Sequence, residues 1–497
     1  MRDDLPVRAT PLCAVAPATP FHRRLLALIA GMFLLLALAA PAEAALRAQI
    51  TQTKANLTDA LTAKKPRAFA ASATPGAAVI TVNPGVRYQR IVGFGAAMTD
   101  TSAWLLYDQL SPEVRASAMA ALFSGAGIHL SFVHIPIAAT DFTATGIPYT
   151  YDDVPSGESD PSLEHFSIAH DAPYVIPALQ LALSLNPEIF TLANPWTAPP
   201  WMKANDAYNN LHLAGTVLPE DYPALAQYFV RFIEDYEAQG VPIDAISMMN
   251  EPKALSAWPG TALTAADQAQ FLPQYLAPAL QAAGLHPAVF GLDGTDLTDA
   301  HTLLQGAGSV VGGIAFHCYK GMGIMSRLHR EYPGQTILVS ECSPGISPYV
   351  PAETAIDATR NWAAGVQLWN LALDPTGGPV QPPDGGCRGC TGLVTVDEQT
   401  QQATFGRTYY QFGQISKYVQ PGAERIFSTR LVSDFAVGAH YGVTPGVDDV
   451  AFANPDGSKV LVAYNDTAHP APLAIKYGGR YLNWTLPGGS TVTFRWP

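Results

Sequence analysis

The chain has 497 residues, of which 48% are hydrophobic, 14% charged and 10% aromatic, and its formal net charge is −13. This length predicts two or three domains, and the absence of a long polar or low-complexity tract excludes an intrinsically disordered protein. The acidic balance excludes the basic face that a nucleic-acid-binding protein usually presents, so we expect no nucleic-acid partner.

Residues 1–44 have the pattern of a secretory signal peptide. Arg23 and Arg24 precede an apolar run at 25–40, and Ala42-Glu43-Ala44 follows as a cleavage sequence with small residues. An uncleaved membrane anchor is the alternative, but the run is shorter than the about 20 residues that a membrane span requires. We therefore expect a secreted or periplasmic protein that has no stable membrane insertion after cleavage.

The residues directly after the signal divide into two parts. Residues 45–75 are rich in Ala and Thr and are predicted to be a flexible leader. Residues 76–90 contain strand-like runs, among them Ala78-Val79-Ile80-Thr81-Val82. Because these runs have no place in the domain that follows, we expect them to join a C-terminal sheet.

From residue 91 to 415, short apolar runs alternate with helical patterns. Eight runs are typical of buried strands: one that begins at Ile91, and those at 128–137, 189–196, 243–250, 288–293, 313–319, 337–342 and 365–373. The stretches between them include helical patterns at 111–123, 173–185, 223–239 and 265–283. Eight βα units over about 300 residues predict an α/β fold of the (β/α)8 or TIM-barrel type. A doubly wound sheet is the competitor, but Gly93-Phe94-Gly95 lacks the third glycine of a dinucleotide-binding fingerprint.

Residues 416–497 are predicted to form a β-sandwich, because the hydrophobic period becomes two beyond about residue 423. Strand-like runs lie at 425–428, 450–453, 459–464, 473–477 and 490–496. Turn sequences such as Asn454-Pro455-Asp456-Gly457 separate them.

Two glutamates end buried strand runs of the predicted barrel: Glu251 follows the fourth run and Glu341 lies in the seventh. Catalytic residues of such barrels lie at the carboxyl ends of strands, and a carboxylate in a buried place is costly unless it is paired or takes part in chemistry. The fourth and seventh strands lie on opposite sides of the ring, so the two carboxyls can face each other. A separation of about 5–5.5 Å is the geometry of a retaining glycosidase. The alternative is two structural acids that cap loops.

The motifs around these glutamates resemble those of glycoside hydrolase family 30, the family of glucosylceramidases and β-1,6-glucanases. The resemblance extends from about Gln89 to the C-terminus. It rests on Gly93-Phe94-Gly95-Ala96-Ala97-Met98-Thr99-Asp100, Pro195-Trp196-Thr197-Ala198-Pro199-Pro200-Trp201-Met202-Lys203, Asn250-Glu251-Pro252, His317-Cys318-Tyr319, Ser340-Glu341-Cys342-Ser343 and Trp369-Asn370-Leu371-Ala372-Leu373-Asp374. It implies a barrel with a side β-sandwich, Glu251 as acid/base and Glu341 as nucleophile. Such roles require different pKa values, with Glu251 protonated and Glu341 ionised in the free enzyme.

The resemblance also implies a set of sugar-binding residues. Asp141, Trp196 and Asn250 match residues that line the −1 subsite, and Tyr319 and Trp369 match wall residues there. The chemistry agrees, because a carboxylate accepts hydrogen bonds from paired hydroxyls and an indole presents a flat apolar face to a sugar ring. Asn250 can bond the 2-hydroxyl, a contact that strengthens in the transition state. Core packing is the alternative for both tryptophans.

Two histidines add open questions. His317 either holds or tunes a neighbouring group of the site, or is a structural histidine. His134 stands where the family usually has arginine, two residues before the proline of the second strand. Because arginine is a permanent cation with a five-donor fork and histidine is not, we expect the pH dependence or substrate preference to differ from the family pattern.

Four cysteines remain after signal cleavage. Cys387 and Cys390 lie in a Gly-rich loop, and in an exported protein such a pair predicts a local disulfide, since a structural zinc site would need two more ligands. Cys318 and Cys342 follow His317 and Glu341 on strands predicted to be neighbours, and both should point away from the barrel mouth. A disulfide between them and two buried free thiols are both open.

The leading interpretation is a retaining β-glycosidase that hydrolyses β-glucosidic bonds through a covalent glycosyl-enzyme intermediate. Glucosylceramide-type substrates come first, with endo-β-1,6-glucanase and β-xylosidase activity as alternatives, so the expected partner is a β-linked glucoside, glucan or glycolipid. No metal or organic cofactor is expected. A carbohydrate-binding protein without activity would be expected to lack one glutamate, a metallohydrolase motif such as His-Glu-x-x-His is absent from the sequence, and so is the Gly-x-Ser-x-Gly elbow of serine hydrolases.

Overall fold

A computed structural model describes residues 46–346, 350–381, 386–387, 389–431 and 446–497. The predicted secretory signal, residues 1–44, lies outside the described residues. Within the described ranges, no helix has both the length and the apolar character that crossing a membrane requires.

The described chain begins with three strands that belong to the C-terminal sheet. β1 (Arg47–Lys54) and β2 (Thr62–Ala68) pair with each other in antiparallel fashion, and β3 (Ala78–Arg90) follows. The prediction of a flexible leader at 45–75 is wrong, because five of the eight residues of β1 are buried. Its second partner is the strand Ser490–Trp496, more than 400 residues later in the sequence. A local sequence pattern cannot predict a pairing over that distance.

A closed barrel of eight parallel strands comes next in the chain. The strands are β4 (Gly93–Ala97), β5 (Phe132–Ile137), β6 (Phe190–Pro195), β7 (Ala245–Ser247), β8 (Ala288–Gly294), β9 (Gly313–His317), β10 (Thr336–Glu341) and β11 (Ala363–Leu368). Each overlaps one of the eight predicted apolar runs, and β11 pairs with β4 to close the ring. The predicted (β/α)8 barrel is confirmed.

The α-helices of the described residues lie mostly between these strands. They are α1 (Asp100–Ala103), α2 (Pro112–Phe123), α3 (Val175–Leu185), α4 (Tyr222–Ala238), α5 (Ala265–Phe271), α6 (Ala277–Ala283), α7 (Leu297–Ala307), α8 (Gly323–Glu331), α9 (Pro351–Arg360) and α10 (Arg407–Ser416). Thr264 and Asp267 form a reciprocal capping box at the start of α5. The helical pattern at 265–283 does not give one continuous helix, because a wider π-type turn at Leu272–Leu276 interrupts it. Pro273 lies in that turn and has no N–H to donate.

The remaining strands complete the fold. A small sheet contains β12 (Ala372–Leu373), β13 (Val394–Asp397) and β14 (Gln402–Phe405). The C-terminal strands are β15 (Glu424–Ser428), β16 (Val447–Ala453), β17 (Lys459–Asn465), β18 (Ala471–Tyr477), β19 (Arg480–Leu486) and β20 (Ser490–Trp496). Five of these six overlap the predicted runs, and β19, which lies between two turn sequences, was not predicted.

Nine strands form the β-sandwich, hydrogen-bonded in the order β19-β18-β3-β15-β16-β17-β20-β1-β2. β3 pairs with β18 near its start and with β15 further along, so residues 76–90 join this sheet as predicted. The sheet folds over on itself: Tyr477 on β18 and Trp496 on β20 are far apart in strand order, yet their rings are 5.4 Å apart. Phe69 closes the cluster at 5.8 Å from Trp496.

The barrel interior changes from apolar to polar towards the carboxyl ends of the strands. One buried residue from each of seven strands forms an apolar layer: Phe132, Leu192, Ala245, Phe290, Ala315, Leu338 and Ala364. Because strand side chains alternate with a period of two, the residues two positions further along share the inward face. These include His134, Asn194, Ser247, His317 and Ser340, all buried. The polar layer lies directly beneath the strand ends where the candidate site is built.

Candidate active site

The two predicted glutamates meet at the carboxyl ends of the barrel strands. Glu251 follows β7 and Glu341 is the last residue of β10. One carboxylate oxygen of each, together with one ring nitrogen of His317, lie within 4.8 Å of one another. This spacing matches the about 5–5.5 Å between the carboxyls of retaining glycosidases and is too short for the about 6.5–9.5 Å of inverting ones.

His317, the last residue of β9, is buried between three carboxylates. Its Nδ1 lies 3.0 Å from Glu251 Oε1 and 3.6 Å from Glu341 Oε1, and its Nε2 lies 3.1 Å from Asp293 Oδ1. Burial alone would lower the pKa of His317, but the charge of Glu341 and the hydrogen bonds with Asp293 and Glu251 raise it well above its ordinary value. These contacts favour the imidazolium form, which donates to Glu251 and to Asp293, and they place His317 where it can hold or tune the acids of the site.

The pKa order of the two glutamates differs from the prediction. Burial raises the pKa of Glu251, but the hydrogen bond and charge of His317 outweigh it and bring that pKa below its ordinary value. Burial raises the pKa of Glu341 to about 7, with the charge of His317 acting against it. These directions are opposite to the expected order, in which Glu251 is protonated and Glu341 is ionised. The sequence could not show the hydrogen bond between His317 and Glu251 that lowers the pKa of Glu251.

Asp293, a hydrogen-bond partner of His317, was not among the site residues predicted from the sequence. It lies near the end of β8 and is fully buried. The sequence did contain a feature that could have identified Asp293, because this acid ends a buried apolar run in the same way as the two glutamates do.

Tyr319 contacts one of the glutamates directly. Its hydroxyl donates to Glu341 Oε1 at 2.8 Å and accepts the backbone N–H of Ser343 at 3.1 Å. The residue predicted as a wall of the subsite thus also orients the carboxylate of Glu341.

A cavity of about 360 Å³ lies over the two glutamates, a size that suits a small ligand. Seven predicted residues line it: Asp141, Trp196, Asn250, Glu251, Tyr319, Glu341 and Trp369. Cys387 and Cys390 line it as well, and so do Trp258 and Ile346, which were not predicted. His317 is not among the lining residues, and its side chain is fully buried against the two carboxylates.

Two polar atoms in this cavity have no partner in the described part of the chain. Asp141 accepts the backbone N–H of Cys387 at 3.0 Å through Oδ2, but its buried Oδ1 has none. Burial and the charge of Glu341 raise the pKa of Asp141 to about 8. The buried Oδ1 of Asn250 is likewise without a partner. Because buried polar atoms are usually hydrogen-bonded, both oxygens suit the hydroxyl groups of a ligand.

Trp196 and Trp369 form one wall as a stacked pair, with ring centroids 4.8 Å apart and planes 19° apart. The stack occupies one face of each indole, so core packing and ligand contact are combined in the same residues. His134 is buried beside them, 5.5 Å from Trp196, and its Nε2 hydrogen-bonds Asn194 Oδ1. Burial lowers the pKa of His134, so a neutral ring stands where the family pattern has a cation.

Both cysteine pairs are bonded. Cys318 and Cys342, with Cα atoms 5.2 Å apart, join the ends of β9 and β10, which answers the question left open between a bridge and two thiols. Cys387 and Cys390 form the predicted local bridge, with Cα atoms 5.5 Å apart.

Among the described residues, Glu251, His317 and Glu341 form a group spaced to hold a metal ion. However, Nε2 of His317 is bound to Asp293 and its Nδ1 faces the two glutamates. An ion would have to break these hydrogen bonds, and we assign none. That no cofactor is needed stays a prediction.

A second cavity, of about 210 Å³, shares Glu251 with the first and lies towards the ends of β7, β8 and β9. Its lining is mostly polar and includes Lys253, Thr295, Asp296, Asp299 and Lys320. Lys253 and Asp299 form an ion pair at 2.6 Å. None of these residues was singled out in the sequence.

Comparison with known proteins gives a consistent result over both domains. The family model "Glycosyl hydrolase family 30 TIM-barrel domain" matches residues 91–419, and "Glycosyl hydrolase family 30 beta sandwich domain" matches residues 422–494. Endo-1,6-beta-D-glucanase BGN16.3 of Trichoderma harzianum is 32% identical over 427 residues, which cover 82% of this chain and 84% of that protein. Lysosomal acid glucosylceramidase of Mus musculus is 28% identical over 465 residues, 86% of this chain and 85% of that protein. The solved structure of the endo-beta1,6-glucanase BT3312 has a TM-score of 0.79 at 28% identity and covers 90% of this chain and 98% of its own.

Proposed function

Since the chain belongs to glycosyl hydrolase family 30 and is therefore a retaining glycosidase, we propose that Glu341 is its nucleophile and Glu251 its general acid/base. The observation that carries the proposal is the approach of the two carboxylates to within 4.8 Å at the floor of a cavity. Tyr319 supports the assignment, because its hydroxyl holds Oε1 of Glu341 and leaves the second oxygen for attack.

In the first half-reaction, an oxygen of Glu341 bonds to the anomeric carbon as the glycosidic bond breaks. The electrons of that bond pass to the leaving oxygen, which takes a proton from Glu251. This proton is the one held in the hydrogen bond between Glu251 and Nδ1 of His317. The product is a glycosyl ester of Glu341 and a free alcohol.

In the second half-reaction, water attacks the same carbon and releases Glu341. Glu251, now ionised, takes one proton from the water as its oxygen bonds to the sugar. The site returns to its starting protonation, and the sugar keeps its β configuration after two inversions.

For the substrate, we propose a β-1,6-linked glucan first. The relatives at 32% identity include endo-1,6-β-glucanases of Trichoderma harzianum and Aspergillus fumigatus. The second cavity agrees, because it lies beside Glu251, where the leaving group departs, and its lysines and acids can bond the hydroxyls of a sugar.

A glycolipid is the second candidate, and exposed apolar side chains favour it. Leu255, directly after the lining of the second cavity, is 63% exposed, and Ile346, which lines the first cavity, is 48% exposed. A lipid chain could lie on such side chains. The mouse glucosylceramidase among the relatives points in the same direction.

Azide rescue tests the two roles. Glu341→Ala should lose nearly all activity on every glycoside, and azide should restore turnover with an α-glycosyl azide as product. Glu251→Ala should keep activity on aryl glycosides with good leaving groups, and azide should give the β-azide. An α-sugar as the first product of the wild type, followed by NMR before mutarotation, would contradict the proposal.

A substrate panel with one lysine variant tests the leaving group. Lys320→Met should lower kcat/KM for a β-1,6-glucose oligomer by about tenfold, the effect of losing one charged hydrogen bond, and leave an aryl β-glucoside nearly unaffected. Lys459→Met on β17, a partly exposed lysine of the sandwich whose Nζ donates to the carbonyl of Gly457, is the control. Hydrolysis of glucosylceramide but not of β-1,6-glucan would favour the second candidate instead.

A further inference from the structure

Asp293 is bonded from four sides in the polar layer of the barrel. Its Oδ1 accepts Nε2–H of His317 at 3.1 Å and the hydroxyl of Ser340 at 2.6 Å. Its Oδ2 accepts the hydroxyl of Ser247 and the amide N–H of Asn194. The four donors come from four different barrel strands, so the position of this carboxylate is fixed by the barrel itself.

Asp293 reaches Glu251 by two routes. Its backbone carbonyl accepts the N–H of Glu251 at 2.9 Å, and its carboxylate binds His317, whose Nδ1 is 3.0 Å from Glu251 Oε1. Both Asp293 and Glu251 have positive φ angles, 50° and 41°. Non-glycine residues rarely adopt this conformation unless their surroundings impose it, so the backbone supports the same contact that the side chains make.

The carboxylate also decides which ring nitrogen of His317 can exchange a proton. Because an ionised carboxylate only accepts, Nε2 keeps its hydrogen, and Nδ1 is the atom that faces Glu251. Nδ1 can donate to an ionised Glu251 or, after giving up its proton, accept from a protonated Glu251. One proton is thus shared along one hydrogen bond.

We propose that Asp293 is the positioning residue of the acid/base. It holds His317 as an Nε2–H donor and so keeps one proton on the Glu251–His317 pair until the leaving oxygen takes it. The inference rests on the proposed function, in which Glu251 is the acid/base. In the first half-reaction the pair gives that proton to the leaving oxygen, in the second it regains one from water, and the Nε2 hydrogen stays in place throughout.

The charges around His317 determine whether Asp293 raises or lowers the pH at which the Glu251–His317 pair loses its proton. The titratable groups that face His317 or its carboxylate partners are Glu251, Asp293, Glu341, Asp141, Tyr319, Lys320 and, through Asn194, His134. Asp293 contributes a negative charge that favours the proton on the pair. If this charge is removed, the proton should leave at lower pH.

The test is the pH profile of kcat/KM for an alkyl β-glucoside, whose poor leaving group needs the acid. Asp293→Asn should move the basic limb down by about one pH unit or more, the size expected for a lost charge at this distance. Ser247→Ala removes one donor to Asp293, so the carboxylate accepts more strongly from His317. The basic limb should therefore move to slightly higher pH. Lower activity with unmoved limbs in Asp293→Asn, or a downward shift in Ser247→Ala, would overturn the inference.

Two further variants separate the possible failures. Asp171→Asn, a buried aspartate bonded to Tyr151 and Tyr236, is the matched control: its Tm should fall while both limbs stay in place. If Glu251→Ala hydrolyses alkyl glucosides as the wild type does, the proposed function fails. If Glu251→Ala behaves as an acid/base variant but Asp293→Asn leaves the limbs unmoved, only this inference fails. Should Asp293→Asn not fold, the direction of the shift in Ser247→Ala decides.

Discussion

Glu341 is a nucleophile candidate whose pKa lies well above the ordinary value for a glutamate. Burial raises it to about 7, and the charge of Glu251 adds to the effect. The imidazolium of His317 and the hydroxyl of Tyr319 act in the opposite direction. Because only the ionised form can attack, this pKa should be visible in the activity of the enzyme.

We predict that kcat/KM falls as the pH decreases through about 7, because Glu341 is then protonated. Tyr319→Phe removes a donor that stabilises the ionised form, so the acidic limb should move to higher pH. Stopped assays from pH 4 to 9 on an aryl β-glucoside measure both, with Tyr481→Phe on β19 as the control. An acidic limb near the value of an exposed glutamate would contradict this prediction.

The sequence predicted which residues line the cavity better than it predicted the hydrogen bonds among them. Glu251 and Glu341 end buried strands, a position that has a local signature. The pKa values of the glutamates depend on His317 and Asp293, which lie on two other strands. These residues come close to the glutamates only when the barrel is closed. Asn194 and Ser247 were missed for the same reason, since a polar residue within an apolar run has no visible partner in the sequence.

Among the elements, the loop that carries Cys387 and Cys390 connects two parts of the site. Cys387 donates its N–H to the carboxylate of Asp141, and Cys390 Sγ accepts the hydroxyl of Ser343 at 2.7 Å. Gln381 adds a backbone hydrogen bond to the carbonyl of Asp141 at 3.0 Å. The bridge therefore holds one wall of the cavity against the residues that follow β5 and β10.

Replacing Cys387 and Cys390 together with Ser should raise KM clearly and lower Tm only slightly. The hydrogen bond to Asp141 loosens, and a contact of this kind is worth about 1.5–3 kcal/mol, whereas the bridged loop is short. The Cys318→Ser/Cys342→Ser variant should lower Tm more, because that bridge closes a loop with a sequence separation of 24 and is worth about 3 kcal/mol in the chain-entropy model. Calorimetry measures Tm and steady-state kinetics measures KM for both double variants. A larger fall of Tm in the Cys387/Cys390 variant than in the Cys318/Cys342 variant would refute the prediction.

β1 gives a second prediction at this scale. A chain that begins at residue 77 lacks β1 and β2, so β20 becomes an open edge and Trp496 loses its contact with Phe69. We expect a lower Tm and aggregation, since an unpaired strand edge is a template for association. A chain that begins at Ala45 is the control in thermal melts and gel filtration. Equal Tm values for the two chains would contradict the prediction.

The barrel and the N-terminal strands show why one part of the fold was predictable and the other was not. The eight barrel strands are buried on both faces, so each is a continuous apolar run that is visible locally. β2 contains Lys64, Lys65 and Arg67 and is mostly exposed. β1 is buried because it lies between β2 and β20 and contacts α10, where Gln414 donates to the hydroxyl of Thr53. Such strands depend on partners that no window of sequence contains.

For the molecule as a whole, we predict export and a mature N-terminus at Ala45. Cleavage after Ala44 would leave β1 intact, because that strand begins at Arg47. N-terminal sequencing of protein from the culture medium or periplasm checks this. Exported protein that still carries the apolar run at 25–40 would contradict it.

The pairing of the first strands with the last also governs the order in which a new chain can fold on the ribosome. All eight barrel strands lie between Gly93 and Leu368, so they can pair as they are synthesised. β1 and β3 leave the ribosome earlier, but their partners β15, β18 and β20 are translated after the whole barrel. The sandwich therefore closes only after the barrel strands have been made, and a chain that stops at the end of the barrel keeps β1 and β3 without these partners.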